Sequence, residues 1–462
     1  MIRRFLMRRS YNKGHWFKAR AHANRIIELP KEQELARSVI IRSYFNQDLY
    51  SEVIRCNEEW GCQFGELSDK AAYKLSLQNP GFDKILDPKI KKLHSSQPTP
   101  EHSDAGWNPV ELAKNFIQEK NRLWMRHPHG WIHWDMPEGF SLDATHEALL
   151  MLTAEVLLGP WEQSTHRGPK VPRNTGDRLA LAYSGGTDST AAAFTLPRDT
   201  ILGYHRRNFE SILDHRNAQR VMDYLEQDLG RVIVDIPSNH ELIRTFHHKQ
   251  IGFSTDMACA SHLILLADYY DIGAIAFGMP LDNTWLMKGR KFRDFSESQY
   301  LKNWGRKFAR AGLELVLPIA GLSEAGAMKI CENEGILPHM NSCLRGNGME
   351  GCGECWKCFH KNGPLGRPYN IEASEIQTFL NRRPLPTATH ALWALKQMGH
   401  QSQVPDLQHH MKGDFSWWTC YYPPAKEILP ERWKAGIIHK ISTHLPDMAR
   451  PYAVESVNYF DE

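Results

Sequence analysis

Residues 178–189 read Arg-Leu-Ala-Leu-Ala-Tyr-Ser-Gly-Gly-Thr-Asp-Ser. The first six form a short apolar run that predicts a buried strand. A helix is predicted from about Ser189 to Leu196, closed by Pro197. The two glycines between strand and helix let the backbone approach a ligand and present consecutive N–H groups beside the positive helix end. The stretch therefore predicts a phosphate-binding loop, and the alternative is a plain strand-to-helix turn with Ser or Asp as N-cap.

The side chains of this loop divide into two predicted roles. Ser184, Thr187 and Ser189 carry hydroxyls that can bind phosphate oxygens alongside Gly185 and Gly186. Asp188 would repel a phosphate, so we predict that it binds a Mg²⁺ ion that bridges the phosphates. The loop lacks the GxxxxGK[ST] pattern of the Walker A motif, which makes transfer of the γ-phosphoryl group a weaker prediction.

Strand-like and helix-like segments alternate after this loop. This alternation predicts an α/β fold with a parallel sheet covered by helices on both faces, and ligands at the carboxyl ends of its strands. The predicted strands are 200–204, 231–236, 274–278 and 314–318, and the predicted helices are 209–229, 257–270 and 323–334.

Length and composition limit the number of domains and the classes of protein to which the chain can belong. At about 150 residues per domain, 462 residues suggest roughly three domains. We predict a mostly helical region over 1–160, an α/β domain over 177–362 and a helical extension over 363–462, although the alternation in 131–134 favours a strand. The chain is 42% hydrophobic and 10% aromatic, which excludes general disorder. No apolar run approaches the ~20 residues that cross a bilayer, so no membrane association is predicted.

The net charge of +3 does not indicate general affinity for nucleic acid or anionic lipid. Residues 1–27 nevertheless hold eight Arg or Lys and no acid. This basic terminus fits a solvated segment, an organelle-targeting peptide or an arm that touches phosphate, and it lacks the apolar stretch of a secretory signal.

Four of the nine cysteines lie within sixteen residues, as Cys343-x8-Cys352-x2-Cys355-x2-Cys358. Such clustering predicts a metal site and a reducing, cytoplasmic compartment rather than a disulfide framework. Four thiolates bind Zn²⁺ tetrahedrally in a closed structural site. An iron–sulfur cluster and a redox role are the alternatives.

The hexapeptide 184–189 resembles the SGGxDS signature of the PP-loop (N-type) ATP pyrophosphatases, whose fold is a HUP-type parallel sheet. The resemblance implies that the loop surrounds the β- and γ-phosphates of ATP with Mg²⁺. An acceptor oxygen then attacks the α-phosphate, which gives an adenylate and pyrophosphate, and a nucleophile displaces AMP.

Within that superfamily, residues 177–362 resemble the 7-cyano-7-deazaguanine synthases (QueC), through Ser342-Cys343, the cysteine spacing, and Gly278-Met-Pro-Leu-Asp282 after the fourth strand. The resemblance implies an enzyme that uses ATP and ammonia on a deazaguanine carboxylate, with zinc held by the four cysteines beside the active site. It implies that Gly278 and Asp282 line the pocket, with Tyr204 and His205 bordering adenine.

Three departures affect substrate recognition more than ATP chemistry. Thr255-Asp256 stands where the family carries Arg-Asn, and Glu324 stands where it often has Lys, with Lys329 a turn later. Residues 283–293 replace the segment that handles the deazaguanine, and we predict Arg290, Lys291 and Arg293 as substrate contacts there. QueC-like proteins with divergent pockets also occur in antiphage-defence operons.

The acceptor is therefore left open between a deazaguanine-like small molecule and a protein, with a homo-oligomer or a defence-operon partner as the expected assembly. A tRNA-modifying adenylating enzyme of the thiolation type is the second hypothesis, since the basic terminus could contact tRNA. The third is a catalytically silent subunit of a defence complex that binds ATP and zinc as scaffold.

Overall fold

The computed structural model describes residues 2–78, 87–101, 106–162, 168–343 and 345–460. One eight-stranded sheet lies at its centre. The strands are β1 Phe116–Glu119, β2 Arg122–His127, β3 Gly130–Asp135, β4 Arg178–Tyr183, β5 Ile201–Arg207, β6 Val232–Ser238, β7 Ile272–Phe277 and β8 Glu314–Val316.

The strands lie in the order β1-β2-β3-β6-β5-β4-β7-β8. The five strands from β4 to β8 run parallel, whereas β1, β2 and β3 pair antiparallel and join the edge at β6. The parallel strands thus follow a doubly wound order that reverses at β4, and ligands bind outside the carboxyl ends of strands at such a switch point. The predicted mixed α/β architecture with a mostly parallel sheet is confirmed.

Helices flank the sheet and form the N-terminal part of the chain. No helix of the described ranges is long and apolar enough to span a membrane. The helices are α1 Ile2–Asn12, α2 Trp16–Asn24, α3 Gln33–Phe45, α4 Tyr50–Glu59, α5 Gly65–Gln78, α6 Pro88–Ser95, α7 Glu147–Leu158, α8 Thr187–Thr195, α9 Arg216–Gln227, α10 Ile243–Phe246, α11 Ser261–Leu265, α12 Gln299–Arg310, α13 Glu324–Asn333, α14 Ser374–Leu380, α15 Ala388–Gln397 and α16 Glu431–Ser442.

The chain divides into two compact units. The first comprises Met1–Pro98 with Arg244–Gly252 and buries its own small apolar clusters, one around Met7 and Ile40 and another around Val53. The second comprises Thr99–Ile243 and Phe253–Glu462, and its core is one continuous apolar cluster. The C-terminal segment 363–462 belongs to this second unit.

Residues 1–160 were expected to be mostly helical with a strand near 131–134, and the structure places three strands over residues 116–135, β1, β2 and β3. Cross-strand pairing explains the difference, because Arg122 lies opposite Asp135 and forms an ion pair of 2.6 Å with it. Trp134 is fully buried in the sheet, pairs with Ser238 of β6 and donates its indole N–H to Ser261. The period-two pattern of 131–134 was therefore the correct local signal.

Two predicted helices are shorter than their apolar patterns suggested. The helix expected over 209–229 begins only at Arg216, because the Asp214 carboxylate accepts the backbone N–H of Arg216. The helix expected over 257–270 is a 3₁₀ turn followed by the five residues of α11. Both segments lie beside the carboxyl ends of β4 and β5, where irregular backbone borders the cavity described below.

Three buried histidines predict acid sensitivity of the second unit. Burial lowers the pKa of His133 and His390 to about 4 and that of His262 to about 3. In the unfolded chain these rings have a pKa near 6.5. The folded state therefore keeps its full stability above about pH 6.5 and loses stability as the pH falls towards 4. Because each ring takes up a proton more readily in the unfolded chain, we expect each to lower the free energy of unfolding by roughly 2 kcal/mol between pH 7 and pH 5. An unchanged urea-unfolding free energy over that range would contradict this expectation.

Candidate functional site

The predicted phosphate loop, Ser184–Ser189, is a tight turn between β4 and α8. Gly185 adopts φ +70°, and a Cβ there would lie 2.6 Å from the Cβ of Ala218. The Ser189 hydroxyl accepts the N–H of Ser184 and donates to the carbonyl of Gly186. Only glycine fits the bend at 185, and hydrogen bonds within the loop hold its shape.

The first N–H groups of α8 have no partner within the helix and form its positive end. Gly278, just beyond β7, allows this end to approach the neighbouring strand, because a Cβ there would lie 2.9 Å from Cα of Ser189. The glycine predicted to line the pocket is thus also what lets α8 and β7 meet closely.

A cavity of about 470 Å³ opens at the carboxyl ends of β4, β5 and β7, and we call it the main cavity. Eight of the predicted ATP-site residues line it together, and they come from the loop after β4 with the start of α8, from β5 and from the residue after β7. These residues are Ser184, Gly185, Gly186, Asp188, Ser189, Tyr204, His205 and Gly278.

Charged and aromatic groups at the end of β5 form the opposite wall of the main cavity. His205 contacts Glu241 at 3.0 Å, and Arg207 reaches the same carboxylate at 2.6 Å. Burial alone would raise the pKa of Glu241, but the hydrogen bonds from His205 and Arg207 outweigh it and lower that pKa. The Tyr204 hydroxyl lies 2.6 Å from Nδ1 of His215. This wall is therefore a fixed polar surface beside the aromatic ring of Phe253.

The four clustered cysteines meet in space, on the segment 342–361 that we call the metal loop. Their sulfur atoms all lie within 4.8 Å of one another, and three of the Sγ–Sγ distances run from 3.6 to 3.9 Å. Tetrahedral bonds of about 2.3 Å to zinc place sulfurs about 3.8 Å apart. The backbone N–H groups of Arg345 and Cys352 also point at the sulfur of Cys343. The cluster could hold a metal such as zinc, as the spacing predicted.

The metal loop and the phosphate loop touch directly. Thr187, which is buried and turned away from the main cavity, has its hydroxyl 2.9 Å from that of Ser342. Asn217 donates to the carbonyl of Cys343 at 2.8 Å. Cys343 and Lys357 themselves line the main cavity. The metal loop therefore forms part of the cavity wall.

Asp188 is paired with a lysine that lies 173 positions further along the chain. Both carboxylate oxygens of Asp188 accept hydrogen bonds from Nζ of Lys361, at 2.8 and 2.9 Å. The same ammonium lies 3.0 Å from the carboxylate of Glu324. Burial disfavours a charged Lys361, but the two carboxylates outweigh it and raise its pKa. Lys361 is therefore a buried cation between two carboxylates.

Glu324, His360 and His390 are close enough to share a metal ion, with ligand atoms within 4.8 Å. Their hydrogen bonds favour another interpretation. The indole of Trp418 donates to Nδ1 of His390, so Nε2 carries the proton and donates to the carbonyl of His360. Since Lys361 already faces the Glu324 carboxylate, we interpret Glu324 as the counter-ion of Lys361, and the two histidines as its packing and hydrogen-bonding neighbours.

The predicted substrate contacts after β7 lie elsewhere. Arg290 and Lys291 line a second cavity of about 700 Å³ with Arg383, His409 and His410. Arg293 donates to the carbonyl of Thr284 and so holds its own loop together. The backbone explains their position, because residues 287–289 are consecutively left-handed and turn the chain.

Asp282 is likewise not among the residues that line the main cavity. Its side chain is fully buried, and burial together with nearby Glu324 raises the pKa of Asp282 well above its usual value. The prediction that Asp282 lines the pocket is therefore wrong for this structure.

Sequence reasoning did not assign the two lysines of the metal loop to the site. Lys357 and Lys361 are four residues apart, a spacing that places two side chains on one helical face. That spacing next to the cysteines was the available signal, but which carboxylate they meet depends on the fold.

A family model described as a family of unknown function (DUF6395) matches residues 303–457, about a third of the chain. The matched range holds β8, α13 and the metal loop but not the phosphate loop. No curated protein and no solved structure matches the chain. The match therefore covers the metal-loop half of the site and attaches no activity to it.

Proposed function

We propose that this protein is an ATP-dependent enzyme of the 7-cyano-7-deazaguanine synthase type, which adenylates a carboxylate or amide oxygen and releases pyrophosphate. One observation carries the proposal: a glycine bend at the start of a helix borders a cavity at the switch point of a doubly wound sheet. A cavity of this size suits a nucleotide, and helix starts after such loops bind phosphate.

In the proposed reaction an oxygen of the acceptor attacks the α-phosphorus of ATP. The bond from this phosphorus to the bridging oxygen breaks, and that oxygen leaves with its electron pair as part of pyrophosphate. Ammonia or an amine then attacks the carbon of an adenylated carboxylate, and AMP leaves to give an amide. With an amide as acceptor, loss of AMP and a proton gives a nitrile.

The proposed roles follow from the lining of the main cavity. The backbone of Gly185 and Gly186 and the hydroxyls of Ser184 and Ser189 bind the β- and γ-phosphates, which makes pyrophosphate the leaving group. Asp188 would hold Mg²⁺ through the carboxylate lone pairs that the hydrogen bonds from Lys361 leave open, and the ion would neutralise phosphate charge. His205 and Tyr204 border the adenine.

We propose further that the metal of the four-cysteine site is zinc in a structural role, because four thiolates leave no position for water. Metal analysis of the purified protein is expected to give one zinc per chain without visible absorption. Iron with a broad band near 400 nm would instead indicate an iron–sulfur cluster.

The acceptor can be identified by the dependence of AMP formation on added compounds. We expect AMP and pyrophosphate when the protein receives Mg²⁺, ATP, ammonium and 7-carboxy-7-deazaguanine, and none when the acceptor is omitted. AMP formation with tRNA alone would move the protein to the tRNA-modifying class. ATP binding without turnover on either acceptor would favour a protein acceptor or the silent subunit.

A further inference from the structure

ATP carries about four negative charges, so a nucleotide bound in the main cavity needs a cation beside its phosphates. Helix α13 does not provide one. Here Glu324 faces Lys361, and Lys329 points to solvent and pairs with Glu332 at 2.7 Å. Neither position of α13 can therefore deliver a cation to the phosphates.

Among the side chains that line the main cavity, the basic residues are His205, Arg207 and Lys357. Arg207 is bound to Glu241 by two hydrogen bonds, and His205 shares that carboxylate. Within the described parts of the chain, the ammonium of Lys357 has no hydrogen bond or ion pair, and its recorded contact is the ring of Trp356 at 5.8 Å. Lys357 is thus the basic residue of this cavity that no carboxylate holds by a hydrogen bond.

Two features keep the ammonium of Lys357 available to bind phosphate in the main cavity. Lys361, one helical turn later, occupies both oxygens of Asp188, so this carboxylate does not draw Lys357 away. Lys357 also sits between Cys355 and Cys358, and its neighbour Trp356 stacks on Phe379 with ring centroids 5.6 Å apart. The backbone that carries the ammonium is therefore fixed on both sides.

From these contacts we propose that Lys357 binds the β- and γ-phosphates of ATP, so that the metal loop supplies the cation of the phosphate site. The inference rests on the proposed function. It makes Lys357 a contact to the leaving pyrophosphate and Lys361 a positioning residue that acts through Asp188. A metal ligand set and a phosphate-binding side chain are then parts of one loop.

Pyrophosphate tests binding at the β- and γ-phosphate positions, and AMP tests binding of the rest of the nucleotide. Both can be titrated calorimetrically into the full-length, metal-loaded protein with Mg²⁺. We expect Lys357→Met to weaken pyrophosphate binding roughly tenfold to hundredfold, the size of one charge-assisted hydrogen bond, and to leave AMP binding unchanged. Lys357→Arg should recover much of the loss. Lys329→Met, a lysine on the solvent side of α13, is the matched control and should bind both ligands as the wild type does.

Metal content and melting temperature of each variant report whether the loop is intact. If Lys357→Met loses metal, Lys357→Gln and Lys357→Arg decide the question, with Gln expected to bind pyrophosphate weakly and Arg to bind it well. Wild-type affinity for pyrophosphate in an intact Met or Gln variant would overturn the inference and leave the proposed function standing. A wild-type protein that binds neither pyrophosphate nor ATP would overturn both.

Discussion

Serine in place of Cys358 is expected to remove the loop metal, to lower the melting temperature by roughly 5–10 °C and to abolish ATP binding. Cys358 is fully buried, with its sulfur 3.6 Å from that of Cys355, so three remaining thiolates would leave an open coordination position. The loop carries Lys357 and touches the phosphate loop through Ser342 and Thr187. Loss of the metal should therefore reach the nucleotide site.

Metal analysis, thermal unfolding and calorimetric titration with Mg²⁺ and ATP measure the three effects. Cys62→Ser is the matched control, because Cys62 is exposed and lies in the first unit. It should leave all three quantities unchanged. A Cys358→Ser protein with full metal content and wild-type ATP affinity would show that the four cysteines do not form the site.

Alanine in place of Gly185 is expected to weaken ATP binding about a hundredfold while the protein stays folded. The left-handed backbone at Gly185 costs an alanine about 1 kcal/mol, and its Cβ would lie 2.6 Å from that of Ala218. The loop must then move, and its N–H groups no longer converge on one phosphate position. Binding should suffer far more than stability, because the strain is relieved by a local shift.

Gly305→Ala provides the comparison for this variant. Gly305 lies in α12, and a Cβ there would have no heavy atom within 4 Å. We expect unchanged ATP binding and a small gain in unfolding free energy of about 0.5–1 kcal/mol. Equal ATP affinities for Gly185→Ala and Gly305→Ala would mean that the loop does not bind the nucleotide.

The parts of the site that depend on local sequence could be predicted. The bend at Gly185, the presence of a helix after it and the clustering of the four cysteines each follow from residues adjacent in the chain, although the helix starts at Thr187 and was expected from about Ser189. The alternation of strands and helices also predicted the parallel sheet, because each segment carries its own periodicity. Residues 131–134 show the same principle, since their period-two pattern indicated a strand within a region expected to be helical.

The parts that depend on distant pairing could not be predicted. The ion pair of Asp188 with Lys361 joins residues 173 positions apart, and no local pattern states which carboxylate a lysine meets. Arg290 and Lys291 were expected to contact the substrate, but the consecutive left-handed residues 287–289 turn the chain so that both line the second cavity. Asp282 was expected in the pocket, yet it is buried behind it.

The position at which ATP is cleaved distinguishes adenylation from transfer of the γ-phosphoryl group. Protein with bound metal can be incubated with Mg²⁺, ammonium, 7-carboxy-7-deazaguanine and ATP labelled separately at the α- and γ-phosphates, and the products separated by chromatography. Cleavage between the α- and β-phosphates, seen as labelled AMP from one substrate and labelled pyrophosphate from the other, is the predicted result. Labelled orthophosphate with ADP would contradict the account, because the phosphate loop would then be serving γ-phosphoryl transfer.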